Sequence, residues 1–166
     1  MVAATGLAGK LVQAYGAPLA LPVDGLTHVF PRPERLAEAN LATLGMPGAR
    51  ARALSSLAAA AADPAIFHPR RDLDEALAQL RTLAGIGEWT AQYIAMRQLR
   101  EPDAFPAADI GLLRAMAGSE GKRPTPAQLL ARAERWRPWR AYAALHLWAS
   151  ETPLASAETE HDREAA

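Results

Sequence analysis

The sequence predicts an all-α fold, and three observations carry that prediction. Apolar residues recur at helical spacing in nearly every segment. No stretch alternates convincingly enough to read as a strand. The run Leu80-Arg81-Thr82-Leu83-Ala84-Gly85-Ile86-Gly87-Glu88-Trp89-Thr90-Ala91 reads as an apolar helix end, a two-glycine hairpin and the start of a second helix.

The elements follow in order. Residues 3–15 place Leu7, Leu11, Val12 and Tyr15 at helical spacing and end at Gly16. Residues 17–32, punctuated by proline and glycine, are expected to form an irregular connection. Pro33 suits a first helical turn leading Glu34 to Ala39. Leu44-Gly45-Met46-Pro47 reads as a turn before an Ala-rich helix over 49–62. Asp72, with Glu75 three residues on, resembles a capping box opening a helix over 73–83. The helix after the hairpin spans 88–99 and stops before Pro102. Asp109 opens a helix to about residue 117. Thr125-Pro126-Ala127-Gln128 combines a cap, a proline at the first helical position and a glutamine at the third. Pro138 starts the last helix, which runs through Trp148. The turns at Leu44 and Leu83 are loosely alike, but no repeat of fixed period is present. The expected organisation is one helical domain over 1–151, with its hairpin at about 80–99, and an acidic, disordered tail over 152–166.

Bulk properties narrow the function classes. At 166 residues the chain suits one domain with a sizeable core. Half the residues are apolar, yet no uninterrupted apolar stretch is long enough to cross a bilayer. The opening residues lack the charged and apolar regions of a secretory signal, so a cytoplasmic location is expected. Without cysteine there are no disulfides, zinc thiolates or iron–sulfur clusters. The net charge is zero, but it is unevenly spread. Residues 151–166 carry five acids against Arg163, and residues 81–140 hold ten Lys or Arg against six Asp or Glu. The basic excess shares its segment with the hairpin and could neutralise several phosphates. Ordinary solvated helix faces would give the same counts.

Glycines at 85 and 87 permit positive φ and leave no Cβ between the backbone and an approaching group. The turn amides, with those opening the helix at Trp89 and Thr90, can then form an anion site suited to a phosphate diester. Twenty-two residues after Gly87 stands Asp109, in Phe105-Pro106-Ala107-Ala108-Asp109-Ile110-Gly111-Leu112. A phosphate-gripping hairpin followed by a carboxylate at a helix start suggests chemistry on DNA. A plain N-cap would use the same aspartate.

The segments Leu41-Ala42-Thr43-Leu44-Gly45-Met46-Pro47, Gly85-Ile86-Gly87-Glu88-Trp89-Thr90-Ala91-Gln92-Tyr93, Asp103-Ala104-Phe105-Pro106 and Ala133-Glu134-Arg135-Trp136-Arg137-Pro138-Trp139-Arg140-Ala141-Tyr142, with His146-Leu147-Trp148, complete the pattern. Residues 80–112 resemble the helix-hairpin-helix DNA glycosylases. Over roughly residues 1–150 the chain is similar to their bacterial 3-methyladenine DNA glycosylase II branch. The resemblance implies a glycosylase-type helical bundle that removes alkylated purines, such as 3-methyladenine or 7-methylguanine, by flipping the base and cleaving its N-glycosidic bond.

On that resemblance Asp109 is the catalytic carboxylate, stabilising positive charge on the sugar and orienting or deprotonating the water. Trp89, Tyr93 and Trp148 match the base-pocket aromatics, whose electron-rich rings favour a cationic base. Helical-core packing is the alternative use for such residues. Trp136 and Trp139 are assigned to the core, and His146 to a packed, hydrogen-bonded position. Gly85, Gly87 and Thr90 would offer amides to a DNA phosphate. The carbonyls of Arg81, Leu83 and Ile86 match those that hold a monovalent cation, sodium or potassium; no other cofactor is implied. Related bifunctional enzymes carry a Schiff-base lysine where Trp89 stands, and no lysine lies between Lys10 and Lys122, so the resemblance implies a monofunctional enzyme.

The implied partner is duplex DNA carrying alkylated bases, met in the nucleoid by a monomer, with no membrane. Two features depart from the family pattern. Ala84 replaces a hairpin proline, and Ala108 replaces a second aspartate found in some relatives. The resemblance also implies protein ahead of Met1, including a wedge-bearing helix, so the chain reads as N-terminally shortened. Two further functions compete: a catalytically weak module gripping DNA backbone through the hairpin, and a helical remnant with neither activity.

Overall fold

The computed structural model describes residues 2–63, 72–118 and 121–151. The chain divides into two compact units, Met1–Ala91 and Gln92–Ala166. Its elements are α1 (Val2–Tyr15), β1 (Ala17–Val23), β2 (Leu26–Val29), α2 (Pro33–Ala37), α3 (Gly48–Ala61), α4 (Leu73–Arg81), α5 (Glu88–Arg97), α6 (Ile110–Ala115), α7 (Pro126–Ala133) and α8 (Arg140–Glu151). Short 3-10 turns occupy Leu41–Leu44 and Glu134–Trp136. The acidic tail expected over 152–166 lies outside the described residues.

In the first unit Leu11, Leu36, Leu41, Ala51 and Ala58 form a buried cluster, with Tyr15, Leu44, Met46 and Leu54 packed against it. These residues come from α1, α2, the first 3-10 turn and α3, so one apolar stripe from each short element closes the core. Between α1 and α2 the structure corrects the sequence reading. Residues 17–29 are an antiparallel hairpin, pairing Ala17 with Val29, Pro18 with His28 and Val23 with Leu26. The two-residue loop is Asp24-Gly25, with Gly25 at φ 75°, a left-handed conformation that glycine adopts without strain. Alternation was missing because both faces are wet: Leu21, Val23 and Leu26 are all exposed. A two-stranded ribbon also tolerates Pro18 and Pro22 on sides that donate no ladder bond.

Helix α4 opens as its sequence dictates, with the Asp72 carboxylate accepting the Glu75 amide at 2.8 Å. It stops at Arg81, two residues earlier than the pattern suggested, because Leu83 already belongs to the turn. Helix α5 likewise ends at Arg97.

The second unit is built on fully buried Ala104, Phe105, Leu112, Leu129, Ala133 and Ala144, with α6 packed on α8. Helix α7 carries a complete capping box: Thr125 accepts the Gln128 amide at 3.2 Å while the Gln128 side chain accepts the Thr125 amide at 2.8 Å. Thr125→Ala is expected to remove roughly 1 kcal/mol of stability, read as a lower thermal midpoint. Two aromatic assignments separate. Trp136 is half-buried, edge-on to Phe105 with centroids 5.9 Å apart. Trp139 is 57% exposed and meets Tyr142 edge-on, so it is a surface residue and not core. His146 is also exposed on α8, which corrects its expected packing. No helix among the described residues is long and apolar enough to cross a membrane.

Candidate functional site

The hairpin between α4 and α5 is specified by two different glycines. Gly85 sits at φ 80°, and a Cβ there would lie 2.4 Å from the Ala53 Cβ on α3. Both the backbone conformation and the close approach therefore require glycine. Gly87 is outside the left-handed region, correcting the expectation that both glycines serve for positive φ; a Cβ there would meet nothing within 4 Å. Its carbonyl instead accepts the Ala91 amide at 2.9 Å and closes the first turn of α5. Ile86 is buried and anchors the turn, and its amide donates to the Leu83 carbonyl at 3.1 Å. Arg81 and Glu88 form a 2.7 Å ion pair across the hairpin. Each charge complements its own helix end, and both side chains are about half exposed, so the pair contributes little to stability.

Helix geometry directs the first-turn amides of α5, including that of Thr90, out of the helix end. The carbonyls of Arg81, Leu83 and Ile86 are neutral, hard oxygens. The Leu83 carbonyl keeps a second lone pair beside its bond to Ile86. This donor set fits a hard monovalent cation and no thiophilic metal. Among the described residues no group of three or more His, Cys, Asp or Glu could hold a metal ion.

In the second unit three of the sequence-nominated residues come together. The Asp109 Oδ1 accepts the Gly111 amide at 2.9 Å and the Leu112 amide at 3.1 Å, capping α6. The same oxygen accepts the Trp148 Nε1–H at 2.8 Å. Trp148 in turn meets Tyr93 with ring centroids 6.0 Å apart and planes tilted by 56°. The aspartate is thus an N-cap and also the acceptor of the Trp148 indole. Trp89, at the start of α5, is 41% exposed, and Tyr93 is 38% exposed.

The sequence did not point to Gly111. A Cβ there would lie 3.0 Å from Asp109 Oδ1 and 3.1 Å from Trp148 Cδ1. Glycine lets the indole reach the carboxylate undisturbed, whereas a larger residue would push both back by a few tenths of an ångström. A glycine two residues after Asp109, in the first turn of the helix that the aspartate opens, was the available signal.

A second polar cluster holds the loop that leads to Asp109. Arg140, 5% exposed, donates from Nε and Nη2 to the two carboxylate oxygens of Asp103, at 2.8 and 2.9 Å. Arg137 bonds Asp103 as well and donates to Glu134 at 2.8 Å. The hydrogen bond from Arg137 holds the Glu134 carboxyl below its ordinary value, and the Arg137 guanidinium is raised by the same bond. A lowered carboxyl contributes stability above its ordinary pKa and loses it as pH falls through the lowered value. Acidification is therefore expected to loosen this cluster, seen as a falling thermal midpoint that Glu134→Gln flattens.

No protein-family profile matches the chain. The chain is 46% identical over 147 residues to the probable bifunctional transcriptional activator/DNA repair enzyme AlkA of Mycobacterium tuberculosis, covering 88% of this chain and 29% of that protein. It is 40% identical over 153 residues to DNA-3-methyladenine glycosylase 2 of Escherichia coli, covering 89% and 51%. The solved 3-methyladenine DNA-glycosylase of Archaeoglobus fulgidus superposes with a TM-score of 0.76 at 25% identity, over 91% of this chain and 53% of that one. The chain therefore spans about half or less of the length of the curated relatives it matches. Across nearly all of its own length it is similar to proteins named as 3-methyladenine DNA glycosylases, and it has a helical glycosylase-type fold with one small two-stranded sheet.

Proposed function

We propose that this relative of the 3-methyladenine DNA glycosylases hydrolyses the N-glycosidic bond of alkylated purines in duplex DNA and leaves the strand intact. The observation that carries the reading is the Asp109 carboxylate, fixed by two α6 amides and the Trp148 indole beside Tyr93. Breaking the bond builds positive charge on the sugar. A carboxylate already oriented by three N–H donors stabilises that charge without reorganising as it appears. The same group can orient the attacking water.

Alkylated purines carry positive charge of their own and leave readily, so the site needs no strong acid. Stacking and cation–π attraction from Tyr93, Trp148 and Trp89 would select a cationic base with few base-specific hydrogen bonds. Extruding that base costs a few kcal/mol, least for a damaged one. Gly85, Gly87 and Thr90 would hold the DNA phosphate through backbone amides at the start of α5. A sodium or potassium ion on the carbonyls of Arg81, Leu83 and Ile86 would offset phosphate charge there. Tryptophan at position 89 supplies no amine, so the strand-nicking Schiff-base route is closed at that position. The proposed partner is double-stranded DNA with alkylated bases, bound by a monomer.

The test is release of free 7-methylguanine from methylated duplex DNA, with gel analysis of the strand before alkali. The expected result is base release without nicking; salt-sensitive DNA binding with no release would reduce the chain to a backbone-gripping module. Trp148→Phe keeps an aromatic ring but removes the donor to Asp109. A hydrogen bond to a charged group is worth about 1.5–3 kcal/mol, so single-turnover release should slow about 10- to 100-fold. Affinity for abasic-site DNA should change much less.

A further inference from the structure

Arg140 is a buried charge that the proposed chemistry does not use. Its Nε donates to the Asp103 carbonyl at 3.1 Å and to Oδ1 at 2.8 Å, Nη2 to Oδ2 at 2.9 Å, and Nη1 to Glu134 at 3.2 Å. The next residue, Ala141, donates its amide to the Pro102 carbonyl at 2.9 Å. The start of the loop between α5 and α6 is therefore fastened to the first turn of α8.

The end of that loop is fastened to the same helix, because Trp148 Nε1 donates to Asp109. Arg140 and Trp148 are eight residues apart, about 12 Å along a helix axis. Between the two anchors the loop is held at Phe105, whose amide donates to the Gln92 side chain at 2.8 Å and whose ring meets Trp136. A buried ion pair is no better for stability than well-packed apolar groups of the same volume. What a bidentate guanidinium adds is direction.

We infer that the Asp103–Arg140 pair, backed by Glu134 and Arg137, is a positioning device for Asp109. Helix α8 acts as a ruler, with Arg140 setting one end of the loop and Trp148 the other. Together they fix where the carboxylate stands against the sugar. This rests on the reading of Asp109 as the charge-stabilising group. Reaction rates respond steeply to such placement, since a displacement of about 1 Å can cost 10²-fold.

The experiment compares wild type with Arg140→Lys, Arg140→Met and Asp103→Asn, all in the full chain. Four quantities are measured: thermal midpoint, affinity for duplex DNA containing a tetrahydrofuran abasic site, single-turnover 7-methylguanine release, and the Trp148 indole N–H signal by nitrogen-15 NMR, assigned with Trp148→Phe. Folded Arg140 variants are expected to bind abasic-site DNA within twofold of wild type and to release base at least tenfold more slowly. Lysine should do no better than methionine, because an ammonium cannot span both Asp103 oxygens. The Trp148 indole proton should exchange at least tenfold faster. If the Arg140 variants fail to fold, Asp103→Asn keeps the side-chain shape and should show the same indole change with a smaller rate loss.

A full rate with lysine, or an unchanged indole signal in a folded variant, overturns the inference. So would a loss of DNA affinity equal to the loss of rate, which marks a merely structural pair. A wild-type chain that releases no base but shows the indole coupling sinks the glycosylase reading and leaves the coupling standing. An active wild type with an uncoupled indole sinks the positioning role alone.

Discussion

Asp109→Asn is expected to slow release of 7-methylguanine by about 10²–10³-fold, with DNA affinity and thermal midpoint little changed. The substitution is informative because asparagine serves as an N-cap as well as aspartate does. Its side-chain oxygen can still accept the Gly111 and Leu112 amides and the Trp148 indole, at the positions where Asp109 Oδ1 now stands. Scaffold and stacking survive, and only the charge is removed. Single-turnover kinetics beside a melting curve separates the two effects. An unchanged rate would show that the carboxylate is an N-cap and nothing more.

Gly85→Ala carries the largest expected loss of stability. The residue sits at φ 80°, where an L side chain is strained by roughly 1–2 kcal/mol. The added methyl would also fall 2.4 Å from the Ala53 Cβ, an overlap that helix α3 must relieve by moving, at about 1–3 kcal/mol. The combined loss of about 2–5 kcal/mol is large against the 5–15 kcal/mol typical of whole proteins. Denaturant melts should show it directly. Adding Ala53→Gly removes the methyl overlap but leaves the residue 53 Cα at 3.3 Å and the backbone strain in place. Measured against Ala53→Gly alone, to cancel glycine's own cost in a helix, it should therefore restore part of the loss. Full restoration would mean the turn conformation is unimportant, and no restoration would mean the hairpin does not rest on α3. Salt-sensitive DNA binding should fall in parallel, since the first-turn amides of α5 follow directly after this turn.

Signals confined to a few neighbouring residues were legible in the sequence. The capping box at Thr125, the Asp72 cap and the helix start at Asp109 each specify local geometry and appear where expected. The hairpin at 17–29 was not legible, because its apolar residues lie in solvent and impose no alternation; only Asp24-Gly25 marked it. Long-range pairing left no local trace. Asp103 and Arg140 are 37 positions apart, and Trp148 is 39 from Asp109. Motif spacing and the family resemblance could name Asp109 and Trp148 but could not show that one hydrogen-bonds the other. Similarly, Trp136 and Trp139 look equivalent as residues, yet one packs on Phe105 and the other lies in water.

The central claim is electrostatic: a fixed carboxylate at Asp109 favours positive charge on the sugar of an extruded nucleotide. Its most direct measurement is the affinity of the wild-type chain for two duplexes, one with a neutral tetrahydrofuran site and one with a cationic pyrrolidine in its place. Tighter binding to the mimic of the charged transition state is the signature of such a site. The account predicts a preference of about 10²-fold or more for the cationic duplex, lost in Asp109→Asn. Equal affinity for both duplexes, or a preference that survives the substitution, would contradict it.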